Sequence, residues 1–255
     1  RRAASSRDTP CPRISTPNAV RDKLIVNTLG GSDTVTLATD LLPVGFVPAS
    51  GTVEVNTGDG NDTVIIDALS SSTTVRTGAD NDTVMVGRFL GGKADGIRES
   101  LSLEGGSGID TFRFDDTLST IGKTGTIGAI GFLGVISGFG LGSVVLYDTM
   151  ESVDVFLGSG GNLVTIDQAN VDGVPAGNLT QLTSVFTGTG ADTVNVKRTN
   201  TLVSVYGQSG LDTVNVGMNG SVQGILGALA VTNFFGFSAV NVDNSADTAA
   251  RIVIL

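Results

Sequence analysis

Apolar residues recur at every second position in short runs along most of the chain, as in Val53-x-Val55, Val64-x-Ile66, Val203-x-Val205 and Val214-x-Val216. Alternation with period two sends successive side chains to opposite faces, so each run predicts a strand with one buried face. A turn sequence, Gly-x-Gly-x-Asp-Thr, stands between paired runs. It reads Gly58-Asp59-Gly60-Asn61-Asp62-Thr63, Gly78-Ala79-Asp80-Asn81-Asp82-Thr83, Gly106-Ser107-Gly108-Ile109-Asp110-Thr111, Gly188-Thr189-Gly190-Ala191-Asp192-Thr193 and Ser209-Gly210-Leu211-Asp212-Thr213. Looser copies lie at Gly30-Gly31-Ser32-Asp33-Thr34 and Gly158-Ser159-Gly160-Gly161-Asn162.

A longer period is superposed on the short one. Asp33 and Asn162 are 129 positions apart, Asp62 and Asp192 are 130, Asp82 and Asp212 are 130, and Asp110 and Ser238 are 128. The 20-residue step from Asp62 to Asp82 is too short for a helical crossover between parallel strands but suits one coil of a stacked solenoid. The pattern therefore predicts an all-β fold: a right-handed parallel β-solenoid made by tandem duplication of a four-coil unit. Block 1 covers residues 23–150 and block 2 covers 151–255, where Ser238-Ala239 makes the last coil degenerate. Residues 1–22, with Arg1, Arg2, Arg7, Arg13, Arg21 and three of the six prolines, read as an arm or linker.

Thr124 to Tyr147 holds no charge for 24 positions and is long enough for a membrane span, but seven of those residues are Gly, which makes a poor helix. The segment is expected to be a packed loop of the fourth coil rather than a span; if exposed, it becomes a subunit contact. The terminal run Arg251–Leu255 reads as a strand in need of a partner, and the most direct partner is another copy or the next segment of a longer chain.

Composition narrows the chemistry. The 255 residues include no His and one Cys, Cys11, which removes imidazole catalysis, His-containing zinc sites and an internal disulfide. Fifteen Lys and Arg against 25 Asp and Glu give a net charge of −10, which argues against a nucleic-acid partner. Of the acids 21 are Asp, a turn former, and only 4 are Glu.

At the Gly-x-Gly-x-Asp turns the chain resembles the RTX-type calcium-binding β-roll repeats and the Gly/Asp/Thr-rich solenoid segments of large secreted surface proteins. That resemblance implies secretion to an extracellular or cell-surface location and Ca²⁺ in the turns. Stacked coils place Asp62 over Asp82, and Asp192 over Asp212, at about 4.8 Å. Like charges at that distance repel, and Ca²⁺ with its 6–8 oxygen ligands would compensate them. Asp59, Asn61, Asp80 and Asn81 add oxygens in the best-matched turns, and Asp110 belongs to the same series. The alternative is that each Asp bonds turn amides and stays solvated.

Asp115-Asp116 reads either as an acid/base pair or as a turn, and Thr63, Thr83, Thr111, Thr193 and Thr213 as a cross-strand threonine ladder rather than an ice-binding array. Asn61, Asn81, Asn178 and Asn219 head N-glycosylation sequons. Together these features predict a non-enzymatic extracellular structural module, a rod or fibre-forming subunit of adhesin type stabilised by calcium. It would self-associate as a homopolymer or join segments of a longer chain, without a membrane span. The competing readings are a polysaccharide-active β-helix enzyme and an ice- or ligand-binding solenoid.

Overall fold

A computed structural model describes residues 23–37, 51–87, 93–168 and 182–248. The arm 1–22, the sequon at Asn178 and the run Arg251–Leu255 lie outside the described residues. Block 1 contributes β1 (Lys23–Asn27), β2 (Thr34–Leu37), β3 (Thr52–Asp59), β4 (Thr63–Ile66), β5 (Ser72–Ala79), β6 (Thr83–Val86), β7 (Leu101–Ser107) and β8 (Thr111–Asp115). Three strands follow, β9 (Thr124–Ile130), β10 (Leu133–Gly138) and β11 (Val145–Asp148). The remainder is β12 (Ser152–Phe156), β13 (Leu163–Asp167), β14 (Leu182–Phe186), β15 (Thr193–Arg198), β16 (Leu202–Tyr206), β17 (Leu211–Val216), β18 (Leu229–Thr232) and β19 (Phe237–Val242).

These strands form two long parallel sheets in a solenoid-like stack. The larger has the order β1-β3-β5-β7-β11-β10-β9-β13-β15-β17-β19 and the smaller β18-β16-β14-β12-β8-β6-β4-β2. Consecutive coils lie in register, so that Thr34, Thr63, Thr83 and Thr111 align in one row and Thr193 aligns with Thr213. This is the threonine ladder the spacing predicts. The inward positions of both sheets make one core, in which Val55, Val75, Leu103, Phe112, Phe114, Val164, Val194 and Val203 are fully buried. Burying such side chains is the main favourable contribution to the stack, at roughly 1.5–3 kcal/mol each.

The 128–130-residue offset does not preserve the sheet. Lys23, which opens β1, lies 129 positions before Ser152, which opens β12, yet β1 is in the larger sheet and β12 in the smaller. The same exchange holds for β2 and β13, β3 and β14, and on to β8 and β19. In block 1 the Asp turns connect the larger sheet to the smaller; in block 2 they connect the smaller to the larger. The repeated turns therefore occupy one edge of the stack in the first half and the opposite edge in the second.

The uncharged, glycine-rich segment expected to be a loop is instead folded into the larger sheet. β9 and β10 form an antiparallel hairpin, β10 pairs antiparallel with β11, β11 runs parallel to β7 and β9 runs parallel to β13. Its glycines are needed for packing. A Cβ on Gly125 would lie 2.4 Å from the Phe139 ring, and one on Gly134 would lie 2.1 Å from the Tyr147 ring. Beyond the one strand an ordinary coil needs between β8 and β12, two extra strands, β9 and β10, lengthen this sheet by about 10 Å at the usual strand spacing, whereas β8 and β12 pair directly in the other sheet. The block boundary is accordingly a wedge. At its hairpin tip Ile130 and Phe132 are exposed.

Candidate functional site

The turns between strands carry the repeated polar residues, and their backbone is set by glycine. A Cβ at Gly78 would sit 2.1 Å from the carbonyl oxygen of Gly58, and one at Gly106 would sit 2.0 Å from that of Gly78. Only a residue without a side chain lets successive coils approach this closely.

The stacked turns direct the repeated aspartates inward. The Asp33 N–H donates to Asp62 Oδ1 at 2.7 Å, Asp62 N–H to Asp82 Oδ1 at 2.7 Å, and Asp82 N–H to Asp110 Oδ1 at 2.8 Å. Glu151 terminates the series by accepting the Asp110 N–H through Oε2 at 2.8 Å. On the opposite edge, Asn162 Oδ1 accepts from Lys123 N–H at 2.9 Å, Asp192 Oδ1 from Asn162 N–H at 2.6 Å, and Asp212 Oδ1 from Asp192 N–H at 3.0 Å. Each carboxylate thus caps a backbone donor of the coil before it, a charge-assisted bond that a turn without Asp cannot make.

The second carboxylate oxygen is the unusual feature. Oδ2 of Asp33, Asp62, Asp82, Asp110 and Asp192 is buried without a hydrogen-bond partner, whereas Oδ2 of Asp212 accepts from Asn233 Nδ2 at 2.8 Å. Asn162 reveals the character of this slot. Its Oδ1 acts like an Asp Oδ1, and its Nδ2 donates to two backbone carbonyls, Thr187 at 2.9 Å and Gly158 at 3.3 Å. The slot is lined by acceptors and suits a donor or a cation. Burial raises the pKa of Asp82, Asp110, Asp192 and Asp212 above the ordinary carboxylate value, against the pull of the backbone N–H bonds that they accept. Asp110 reaches about 6, with the Asp82 and Glu151 charges adding to the rise.

The nine residues expected to hold calcium divide into two groups. Asp62, Asp82, Asp110, Asp192 and Asp212 are the buried ladder, while Asp59, Asn61, Asp80 and Asn81 are exposed on the outside of the turns. Asn61 and Asn81 form their own cap series, Asn61 Oδ1 accepting from Asn81 N–H at 2.9 Å and Asn81 Oδ1 from Ile109 N–H at 2.8 Å. Among the described residues no three or more His, Cys, Asp or Glu side chains gather as a metal-binding group.

Asp115-Asp116 leads into a turn in which both residues are engaged. Asp115 bonds Arg113 Nη2 at 2.9 Å and the Thr117 hydroxyl at 2.7 Å, and Asp116 Oδ1 accepts from Ala94 N–H at 3.0 Å and Lys123 Nζ at 3.1 Å. Lys123 also reaches Asp95.

Sequence reasoning missed two arrangements. The half-buried Thr28 and the buried Thr57 and Thr77 hydroxyls donate to the carbonyls of Thr57, Thr77 and Gly105 at 2.8–2.9 Å, tying each coil to the next just ahead of the glycine turns; the recurring Thr-Gly of Thr57-Gly58, Thr77-Gly78 and Thr187-Gly188 was the available signal. The second is a column of rings on the outside of the smaller sheet. Phe156 stacks on Phe186 at 4.4 Å, Phe186 on Tyr206 at 4.6 Å, and the Arg113 guanidinium covers Phe156 at 4.0 Å. Its signal was an aromatic residue following valine in Val155-Phe156, Val185-Phe186 and Val205-Tyr206.

Among the described residues no helix is long and apolar enough to cross a membrane. No protein-family description, no curated protein and no solved structure matches the chain.

Proposed function

We propose that the chain is a non-enzymatic structural module: a right-handed parallel β-solenoid, duplicated in tandem, that serves outside the cell as a stiff segment of a rod, fibre or adhesin-type surface structure. The right hand follows from the general handedness of parallel crossover connections. The observation that carries the reading is the way the repeated polar groups are used. The Asp ladder, the Thr–carbonyl series and the Asn caps are all spent on joining one coil to the next. An enzyme or ligand-binding solenoid would direct comparable groups to a shared external face. The turn motif and its likeness to secreted repeat proteins support the extracellular placement.

The buried, partnerless Oδ2 atoms favour one addition to this reading, a calcium ion bridging ladder turns at neutral pH. It would draw on Oδ2 and the neighbouring backbone carbonyls rather than on a cluster of carboxylates.

Small-angle X-ray scattering of the whole chain, combined with an assay for polysaccharide cleavage, tests the function. An elongated particle without hydrolytic activity is expected; a compact particle or turnover of a glycan rejects the proposal. Melting with calcium and with chelator tests the ion separately, and equal midpoints remove calcium while leaving the structural role intact.

A further inference from the structure

Among the described residues, the strands at the two ends of the larger sheet carry inward positions that are not fully covered. On β19, Val240 and Val242 align with the buried Val214 and Val216 of β17, yet they are 44% and 41% exposed. At the other end β1 turns Leu24 and Val26 inward, and both are only half-buried. Two apolar faces are thus presented at opposite ends of one sheet.

The block boundary shows how such faces close. By the 128–130-residue offset, β8 is the counterpart of β19 and β12 the counterpart of β1. β8 and β12 pair in parallel with Phe112 opposite Val153 and Phe114 opposite Val155, all four fully buried. The joint is sealed at its turn by Glu151, immediately before β12, accepting the Asp110 N–H. Ser238, one residue into β19, stands where Asp110 stands. The directions also agree. β10 is the one antiparallel member of the larger sheet among the described strands, and its two antiparallel pairings cancel, so β1 and β19 run the same way.

We infer that the last coil of one molecule docks on the first coil of a second copy, β19 of the one pairing in parallel with β1 of the next in the β8–β12 register. Ala239 then faces Lys23, Val240 faces Leu24, Asn241 faces Ile25 and Val242 faces Val26. The contact joins different surfaces of the two copies, so it does not close on itself and propagates as a filament. The occupant is a second copy because β1 supplies what no described strand supplies to the free side of β19: a parallel strand with apolar residues at the matching inward positions. The inference rests on the structural role proposed above and names the partner for it.

Asn241 and Ile25 are exposed, and directly opposed residues on parallel strands lie within disulfide reach. In chains spanning all 255 residues and carrying Cys11→Ser, Ile25→Cys is placed on one preparation and Asn241→Cys on another. Oxidation of the mixture is expected to give a disulfide-linked pair that neither preparation gives alone, and a chain carrying both substitutions is expected to give a ladder of linked multimers. Val242→Asp is expected to weaken association at least tenfold by sedimentation without changing the circular dichroism. Two results overturn the inference: no linkage of the mixture at concentrations where the chain is folded, or self-linkage of Asn241→Cys alone, which marks a closed tail-to-tail dimer. A monomer that remains elongated in scattering defeats this contact but not the structural role, whereas a compact particle defeats the role itself.

Discussion

The two blocks share a repeat but are furnished differently. Block 1 has an all-acid ladder, Asp33, Asp62, Asp82 and Asp110 ending on Glu151, and on the outside of the larger sheet a row of ion pairs in which Arg76 bridges Glu54 at 3.0 Å and Glu104 at 2.9 Å while Lys23 reaches Glu54 from the other side. Block 2 begins its ladder with an amide, Asn162, and shields Asp212 with Asn233. Its outer faces carry amides, Asn195–Asn215–Asn241, and the ring column Phe156–Phe186–Tyr206. The difference teaches which requirements are strict. Inward aliphatics and a side-chain acceptor for the preceding N–H are kept in both halves. The charge on that acceptor and the chemistry of the outer face vary, because on an outer row amides that bond one another, rings that stack and opposite charges that pair are each stabilising.

The widest contrast lies between equivalent inward positions. Phe112→Ala, in a closed joint, should cost about 3–5 kcal/mol, whereas Val240→Ala, its exposed counterpart, should cost well under about 1 kcal/mol for the dilute chain. Urea denaturation of both variants measures the gap, and comparable losses would mean that the two ends of the stack are equally enclosed.

The ladder gives the next largest effect. The pKa of Asp110 is raised in the folded state to about 6 from an ordinary value near 4, so the folded chain binds the proton more tightly. The associated stability is fully present below about pH 4 and is lost as the pH rises through about 6. Thermal melting should therefore be higher near pH 4.5 than near pH 7.5 in about the same ionic strength. With chelator present, Asp110→Asn, which imitates Asn162, should remove much of that dependence and stabilise the protein at neutral pH by on the order of 2 kcal/mol. The reverse change, Asn162→Asp, places a charge against the Gly158 and Thr187 carbonyls and should destabilise at neutral pH by about 1–3 kcal/mol, with recovery in acid. An Asp110→Asn variant that keeps the full pH response, or an Asn162→Asp variant that gains none, would show the two ladders to be equivalent.

On the outer faces the expected effects are smaller. Phe186→Ala, at the centre of the ring column, should cost about 1–3 kcal/mol from two lost stacks and part of its buried area, insensitive to salt. Arg76→Ala in the exposed ion-pair row should cost less than about 1 kcal/mol, and the loss should shrink in high salt. Chemical denaturation at low and high ionic strength separates the two; a salt-insensitive Arg76 effect would assign that residue a packing role instead.

Strands and turns were legible because their signals are local: period-two alternation in Val53-x-Val55 and the glycines at Gly58 and Gly78, whose neighbours leave no room for a side chain. The direction of the aspartates was not. Asp62 reads identically whether it faces outward to an ion or inward to the preceding coil's amide, and the choice is made by the approach of Asp33 N–H one coil away. The exchange of sheets between β1 and β12 was hidden for a similar reason, since alternation names a strand but not its sheet. In Gly125 and Gly134 composition misled, because glycine in a strand looks like a loop until the ring that occupies its missing side chain is known. The partnering of Phe156, Phe186 and Tyr206 was available from spacing, but only once the register of their strands was fixed.

The three-strand insert at the block boundary obeys a rule of parity. To leave β8 and return to β12 in the same direction, the chain must traverse the larger sheet an odd number of times. One traverse would be an ordinary coil; three traverses are an ordinary coil plus a hairpin. β9 and β10 are therefore a topologically silent addition. Excising them and joining the β8 turn to β11 leaves the direction of all later strands unchanged, and adding a second hairpin does the same. Only the angle between the two blocks responds, growing or shrinking with every pair of strands, so that the bend of this protein can be altered in discrete steps without rewriting either of the halves it connects.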